Sequence, residues 1–287
     1  MPPRKTATAP QRALANALER HRLAAGLDRD QAAEALMWTA MKLYRIETAR
    51  VTVDPADVLQ MSRLYGIGEA DTASLVALAR QARKRGWWQG MSGVLPEGFS
   101  VHLELESAAR QIRTYEAQFV PGLLQTEEYA RAMITARSVR GTPDQVERAI
   151  AVRMRRQQIL SRSVPPPPRI WAVLDESAIR RAVGGRDVMR QQLARLLELA
   201  GDGSGFTLQV LPFTAGAHPA GNGSFTLLDP ADPAFPVAAS TDRPTETLIE
   251  DSAEAVGLYS TIFDHLVAAA LNTAESSTLI AEAIRLL

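Results

Sequence analysis

Cysteine is absent from all 287 residues, which excludes a disulfide framework, a thiolate metal site and a cysteine nucleophile. Lysine is nearly absent: of the 32 basic residues only Lys5, Lys42 and Lys84 are lysines. Alongside abundant alanine, that scarcity looks like a high-GC coding bias rather than a functional choice. Histidine is sparse as well. His21, His102, His218 and His265 stand alone, without a local partner at metal-ligand spacing, so no metal site and no cofactor is expected. No apolar run approaches the roughly 18 residues of a membrane span, and no signal peptide is legible at the start. The expectation is a soluble, cytoplasmic protein with no membrane contact, nucleoid-associated when bound to DNA.

Net charge is also absent over the whole chain, but not region by region. Residues 1–90 hold 14 Lys and Arg against 9 Asp and Glu, and residues 91–287 hold 18 against 23. A basic head on an acidic body suits a nucleic-acid-reading module joined to a protein-binding one. The start, Met1 to Pro10, reads as a flexible tail carrying Arg4 and Lys5.

Residues 11–65 pattern as three short amphipathic helices. Ala32, Ala33 and Leu36 share one helical face. After a break, Leu43 and Ile46 make the stripe of the next helix, with Thr39 placed as its N-cap. Its outward face is then Ala40, Met41, Lys42, Tyr44 and Arg45. A pair of helices whose second presents a small, donor-rich face fits the major groove of DNA.

This spacing resembles the Xre-type, phage-repressor-like helix-turn-helix, with Gln31, Ala32, Thr39, Leu43, Ile46 and Glu47 in the matching places. Two positions depart from that pattern. Met37 stands where the turn usually has glycine, and Ala49 where glycine usually follows the Ile-Glu pair. Both places often need positive φ, which costs a residue with a Cβ about 1 kcal/mol or more, so local repacking or fraying at Thr48 is expected. The resemblance implies direct readout by Ala40, Met41, Lys42 and Arg45, with Arg45 the candidate for a bidentate guanine contact and Ala40 and Met41 offering apolar contact to thymine methyls. It implies backbone positioning by Arg29, Gln31 and Arg50. It also implies double-stranded DNA with paired half-sites bound by a homodimer.

The first domain is expected over residues 11–86, with further helices from Asp54-Pro55 to Gly66 and from Asp71 to Lys84. Residues 87–98, opening on Trp87-Trp88, read as a linker. The second domain, 99–287, alternates helix and strand. Helices are expected over 103–112, 126–136, 143–161, 176–183, 187–200, 252–271 and 273–287, and strands over 115–120, 170–174, 206–210 and 224–228. Pro165 to Pro168 form an extended connector. The expected fold is thus an all-α helix-turn-helix domain followed by an α+β domain with a small sheet covered by helices.

Several stretches of the second domain resemble one family. They are Glu104 to Ala109, Tyr115, Val120-Pro121-Gly122-Leu123-Leu124-Gln125-Thr126 through Ala132, Arg153-Met154-Arg155-Arg156-Gln157, Leu174-Asp175-Glu176, Gly184-Gly185, Gln192-Leu193, Val210-Leu211-Pro212-Phe213 and Gly216-Ala217-His218. They look like the antitoxin-like C-terminal domain that follows an Xre head in WhiJ-like regulators of Streptomyces and its relatives. That resemblance implies a transcriptional regulator, a repressor in the antitoxin manner, whose C-terminal domain binds a small partner protein encoded nearby. One departure is Val237 to Thr241, where the family usually has a Tyr-x-Glu strand, here expected at a sheet edge.

The glycine-rich span from Pro212 to Gly223 is too long to be buried, and loops of this kind carry binding, which makes Phe213, His218 and Asn222 the candidate partner contact. The closing helices, with Leu258, Ile262, Leu266, Leu279, Ile280, Ile284 and Leu286, hold more apolar surface than a small sheet absorbs, which also favours a homodimer. An enzyme is not expected. Asp175-Glu176 reads as a helix cap, the Gly201 to Gly205 run lacks the lysine and following helix of a phosphate loop, and no catalytic residue is assigned. A carboxylate set in a pocket beside a histidine would argue the other way. A small-molecule-sensing regulator and a scaffold that has lost DNA binding are the alternatives.

Overall fold

A computed structural model describes residues 9–83, 87–88, 95–139, 141–201, 205–231 and 236–287. The chain separates into two compact units at residues 89 and 90. The expected tail with Arg4 and Lys5, the expected helix end at Lys84, and residues 89–94 of the expected linker lie outside the described residues.

Helices α1 (Ala9–Ala24), α2 (Arg29–Ala35), α3 (Ala40–Glu47), α4 (Pro55–Tyr65) and α5 (Glu69–Ala82) make up the N-terminal unit. The local chemistry of the sequence sets their ends. Asp28 and Gln31 form a reciprocal capping box on α2, and the Thr39 hydroxyl accepts from Lys42 N–H at the start of α3. Asp54 caps α4 with Pro55 in its first turn, and Gly66 closes it in the left-handed conformation. The core joins the expected stripes, Ala32 and Ala33 of α2 and Leu43 and Ile46 of α3, to Leu14 and Leu18 of α1, Val58 and Met61 of α4, and Leu75 and Leu78 of α5. Helix α5 begins two residues earlier than the pattern predicts.

Met37 and Ala49 both adopt positive φ, 56° and 52°. The expected repacking and fraying do not occur. Each residue closes its helix in the ordinary double-bonded way: Met37 N–H to Glu34 O (2.9 Å) with Trp38 N–H to Ala33 O (2.8 Å), and Ala49 N–H to Ile46 O (3.0 Å) with Arg50 N–H to Arg45 O (2.7 Å). The two backbone bonds hold the turn that glycine would normally make without strain.

The second unit is built on a six-stranded mixed sheet in the order β3-β2-β1-β4-β5-β6. Strands β1 (Ala109–Glu116), β2 (Arg169–Asp175) and β3 (Phe206–Leu211) are parallel; β4 (Phe225–Pro230), β5 (Ala238–Asp242) and β6 (Thr247–Glu250) continue antiparallel. Helices α6 (Phe99–Ala108), α7 (Glu127–Arg137), α8 (Pro143–Arg156), α9 (Glu176–Arg180), α10 (Arg186–Gly201), α11 (Ala253–Ala269) and α12 (Thr273–Leu286) cover it.

Four expectations change here. The helix expected over 103–112 is α6, which ends at Ala108; the chain then enters β1, and the strand expected over 115–120 is the end of that strand moved six residues back. Ile112, Thr114 and Glu116 alternate with Arg113 and Tyr115, a two-residue period that the helix-forming Arg110-Gln111 masks. Helix α8 stops at Arg156 and tightens into one 3-10 turn over Gln157–Leu160 rather than running to Ser161. Helix α9 ends at Arg180 rather than at 183. Val237 to Thr241 is not an edge: β5 lies between β4 and β6, and β6 is a four-residue edge strand too short to show a period.

The alternation along β1 divides the two faces of the sheet. Tyr115, Phe225, Leu227 and Ala239 face one side and form a core with Phe263 and Leu266 of α11. Thr114, Glu116, Thr226 and Ser240 lie on the other side, where α6 and α8 pass. Gly98 (φ 80°) opens α6 with its backbone against the Thr247 carbonyl, where a Cβ would collide. That close approach tucks the start of α6 against β6.

Candidate nucleic-acid interface and a charged cavity

Helix α3 presents the outward face expected of it. Arg45 and Met41 are exposed, while Ala40, Lys42 and Tyr44 are partly covered. The cations differ in their freedom. The Lys42 ammonium lies 3.5 Å over the Trp38 ring and 3.0 Å from Asp57 Oδ2. Arg50 lies over the Tyr44 ring at 5.1 Å. The Arg45 guanidinium makes no ion pair or hydrogen bond among the described residues. Thr39 and Gln31 are engaged as caps, Gln31 through its side-chain oxygen, while its amide nitrogen makes no hydrogen bond among the described residues.

Arg29, expected at the DNA backbone, is paired within the N-terminal unit. Its Nε donates to Glu47 Oε2 (2.9 Å), a terminal nitrogen reaches Glu19 (3.4 Å), and its guanidinium lies over Tyr44. Glu47 is the centre of this arrangement. It is 4% exposed and also takes a two-pronged bond from the buried Arg22, at 2.6 and 3.1 Å. The hydrogen bond to Glu47 raises the Arg22 guanidinium further above its ordinary pKa despite burial. Two guanidinium groups on one carboxylate fasten α3 to α1, and Gln11 adds a bond to Ala49 O (3.0 Å) at the end of α3. Arg22 and Gln11 carry no local sequence signal. Their partners lie 25 and 38 residues away.

Of the residues expected to meet a partner, Phe213 is 60% exposed, with its N–H donating to Glu176 Oε2 (2.9 Å). His218 turns inward instead, edge-on to Tyr115, with Nε2 3.4 Å from the phenol oxygen and Nδ1 buried without a partner among the described residues. Asn222 is exposed at the rim of the cavity described next. No hydrogen bond or ring contact joins the three among the described residues. Asp175 caps α9 as expected.

On the polar face of the sheet lies an open cavity of about 1010 Å³. Its floor is Thr114, Glu116, Ser224, Thr226 and Ser240, and its walls come from α6, α8 and the turn at Pro121 to Gln125. One wall is a closed network. Arg156 forks onto Glu106 (2.6 to 3.0 Å), and His102 joins Glu106 (3.3 Å) to Ser240 (2.8 Å). Burial pushes the Glu106 carboxyl up, but the Arg156 charge and the His102 bond outweigh it and hold it down at about 2.

Two groups remain open. Burial pushes the Glu116 carboxyl up to about 7, against a hydrogen bond from Ser224. Arg153 forms no hydrogen bond or ion pair among the described residues, and burial, with repulsion from Arg156, pulls its guanidinium down to about 10. It lies against Gly122, where a Cβ would fall on its guanidinium. Gln157 bonds Gly122 O and Gln125 O (3.0 and 2.8 Å) and fixes that turn. The sequence reading gave no role to this cavity. A carboxylate does stand in it beside a histidine, but that carboxylate is Glu106, which Arg156 occupies.

An exposed α3 carried on a buried core and offset from α2 by a tight turn is the geometry of a helix-turn-helix, and residues 13–75 match the model of a helix-turn-helix domain. The N-terminal unit carries a helix-turn-helix domain, a module that suits a DNA-binding regulator. Residues 99–282, more than half of it, match a family described as a domain of unknown function, DUF5753, and the chain belongs to that family. No curated protein and no solved structure matches it.

Proposed function

We propose that this protein is an Xre-type transcriptional repressor, WhiJ-like in its organisation, that binds paired half-sites of double-stranded DNA as a homodimer. The observation that carries this reading is Arg45, an exposed guanidinium without an internal partner among the described residues on the outward face of α3. In this reading Arg45 takes a bidentate guanine contact, Ala40 and Met41 touch thymine methyls, and Tyr44, Gln31 and Arg50 set the register on the backbone. Lys42 reaches DNA only by leaving Asp57, and Arg29 acts through Glu47 by positioning α3. No residue is assigned a catalytic role.

Fluorescence anisotropy with the gene's own promoter tests the reading. Arg45→Ala lowers discrimination between operator and random DNA by about 1–3 kcal/mol and leaves non-specific binding nearly intact. Equal losses on both DNAs overturn the assignment.

The C-terminal unit receives the regulatory signal. The exposed Phe213 supports docking of a small partner protein on the 212–223 loop, with Asn222 at its end, while the inward His218 shapes the loop from beneath. Deleting residues 217–221 abolishes capture of the neighbouring gene's product and spares DNA binding; capture that survives the deletion removes the loop from the site.

A further inference from the structure

The cavity of the second unit holds a cation that its carboxylates, Asp242 and Glu106, reach only through space and not by a hydrogen bond. Arg153 projects from α8 into a partly enclosed space without a hydrogen bond or ion pair among the described residues. An unpaired guanidinium out of bulk water is costly, and the fold meets that cost in a specific way: the turn has no side chain at Gly122, which leaves the guanidinium its seat. The neighbouring guanidinium shows the contrast, since Arg156 is saturated by Glu106. A planar fork held open beside a saturated one is a receptor for a planar oxyanion.

The charges on the walls set the ligand's valence. Arg137, Arg153, Arg156 and Arg243 face Glu106, Glu116 and Asp242, so the lining carries one surplus positive charge, and two when Glu116 is protonated. With Glu116 ionised, as it must be to accept from a ligand donor, one negative charge is balanced, while a phosphate dianion would meet the Glu116 and Asp242 carboxylates. The lining is otherwise mixed, with the apolar side chains Phe99, Ile112, Leu123 and Met133 beside hydroxyl and amide groups such as Thr114, Thr226 and Gln118. At about 1010 Å³ the space matches a drug-sized organic molecule.

We propose that this cavity is the binding site for a small organic monocarboxylate, its carboxylate forked onto Arg153 and its apolar body against Phe99, Ile112 and Leu123. Glu116, on the floor, takes a hydroxyl or N–H donor of the same ligand and sets its orientation. The assignment stands apart from the DNA reading, because it concerns binding to the second unit alone.

The test is calorimetric titration of the full chain, without DNA, with phenylacetate, cinnamate, salicylate and decanoate, each beside its primary amide, and with phenyl phosphate. At least one carboxylate binds, and its amide binds about 10- to 100-fold more weakly. Arg153→Met abolishes that binding while the melting temperature holds or rises, because an unpaired cation has been removed. Gly122→Ala, which displaces the guanidinium by a single methyl group, weakens the same carboxylate on a folded protein. Binding by none of the carboxylates, equal binding of acid and amide, tighter binding of phenyl phosphate, or full binding by Arg153→Met overturns the proposal.

Discussion

Met37 and Ala49 are the two residues at which local preference and tertiary requirement conflict. Each is a Cβ-bearing residue held at positive φ by a pair of backbone hydrogen bonds that end α2 and α3. Met37 is 93% exposed, so its side chain returns nothing in packing. Replacement by glycine removes the strain and no contact. Met37→Gly and Ala49→Gly are each expected to stabilise the N-terminal unit by about 1 kcal/mol, read as a higher midpoint in urea. An unchanged or lower midpoint would show that the turn is unstrained. The residues that hold α3 in place behave in the opposite manner, since Glu47 concentrates two guanidinium groups at one buried carboxylate and couples the outward face of α3 to α1. Arg45 is free for DNA in part because Arg22 and Arg29 supply the internal pairing.

At the scale of elements, β1 shows how one strand serves two purposes. Its odd positions, Arg113 and Tyr115, pack toward α11, and its even positions, Thr114 and Glu116, form the cavity floor. The carboxyl of Glu116 carries a measurable signature of that placement. Its folded pKa is raised to about 7, so the folded state binds a proton that the unfolded chain has already released. Stability therefore falls as pH rises from the ordinary carboxyl range through about 7, and stays lower above it. Glu116→Gln, which cannot ionise, is expected to melt at a temperature close to the parent's near about pH 5 and clearly higher near about pH 8. A difference between the two proteins that stays constant from about pH 5 to about pH 8 would place Glu116 in water rather than in the cavity. Elements also account for the sequence misreadings. Where several turns of one period were present, as in α2, α3, α4 and α10, the pattern carried the assignment. Where a helix passes directly into a strand, as α6 does into β1 at Ala109, no turn residue marks the change, and the boundary followed the helix formers too far.

At the scale of the whole molecule, the excess of apolar surface expected on the closing helices is smaller than their composition implies. Leu266 and Ile280 are fully buried and Ile262 packs on the sheet core, while Leu258 and Leu286 remain exposed. The proposed homodimer would thus find few apolar anchors in these helices, and a modest affinity is expected of it. Light scattering with increasing protein concentration is expected to show a monomer–dimer equilibrium at micromolar levels, shifted to dimer by operator DNA; one monomer per half-site bound without cooperativity would contradict it.

The sequence by itself determined the helix-turn-helix. Its signals are local: a cap at Thr39, a stripe at Leu43 and Ile46, and an outward face ending in Arg45, all within one turn or two of each other, where backbone periodicity dictates the side of a helix on which a residue falls. Most helices of the second unit and the strands β2, β3 and β4 were legible for the same reason, and so was the basic character of the first 90 residues; β6 was not. The tertiary structure alone decided which charges are free. Arg29 and Arg45 both read as DNA contacts in the sequence, one for the backbone and one for a base, yet Arg29 is drawn to Glu47, 18 residues away, and Arg45 is left to solvent. It alone assembled the cavity, whose lining comes from α6, β1, the turn at Gly122, α8, β4 and β5. Ion pairing and enclosure depend on distances through space, and residues such as Glu106 and Arg156, 50 positions apart, have no periodicity that could announce them.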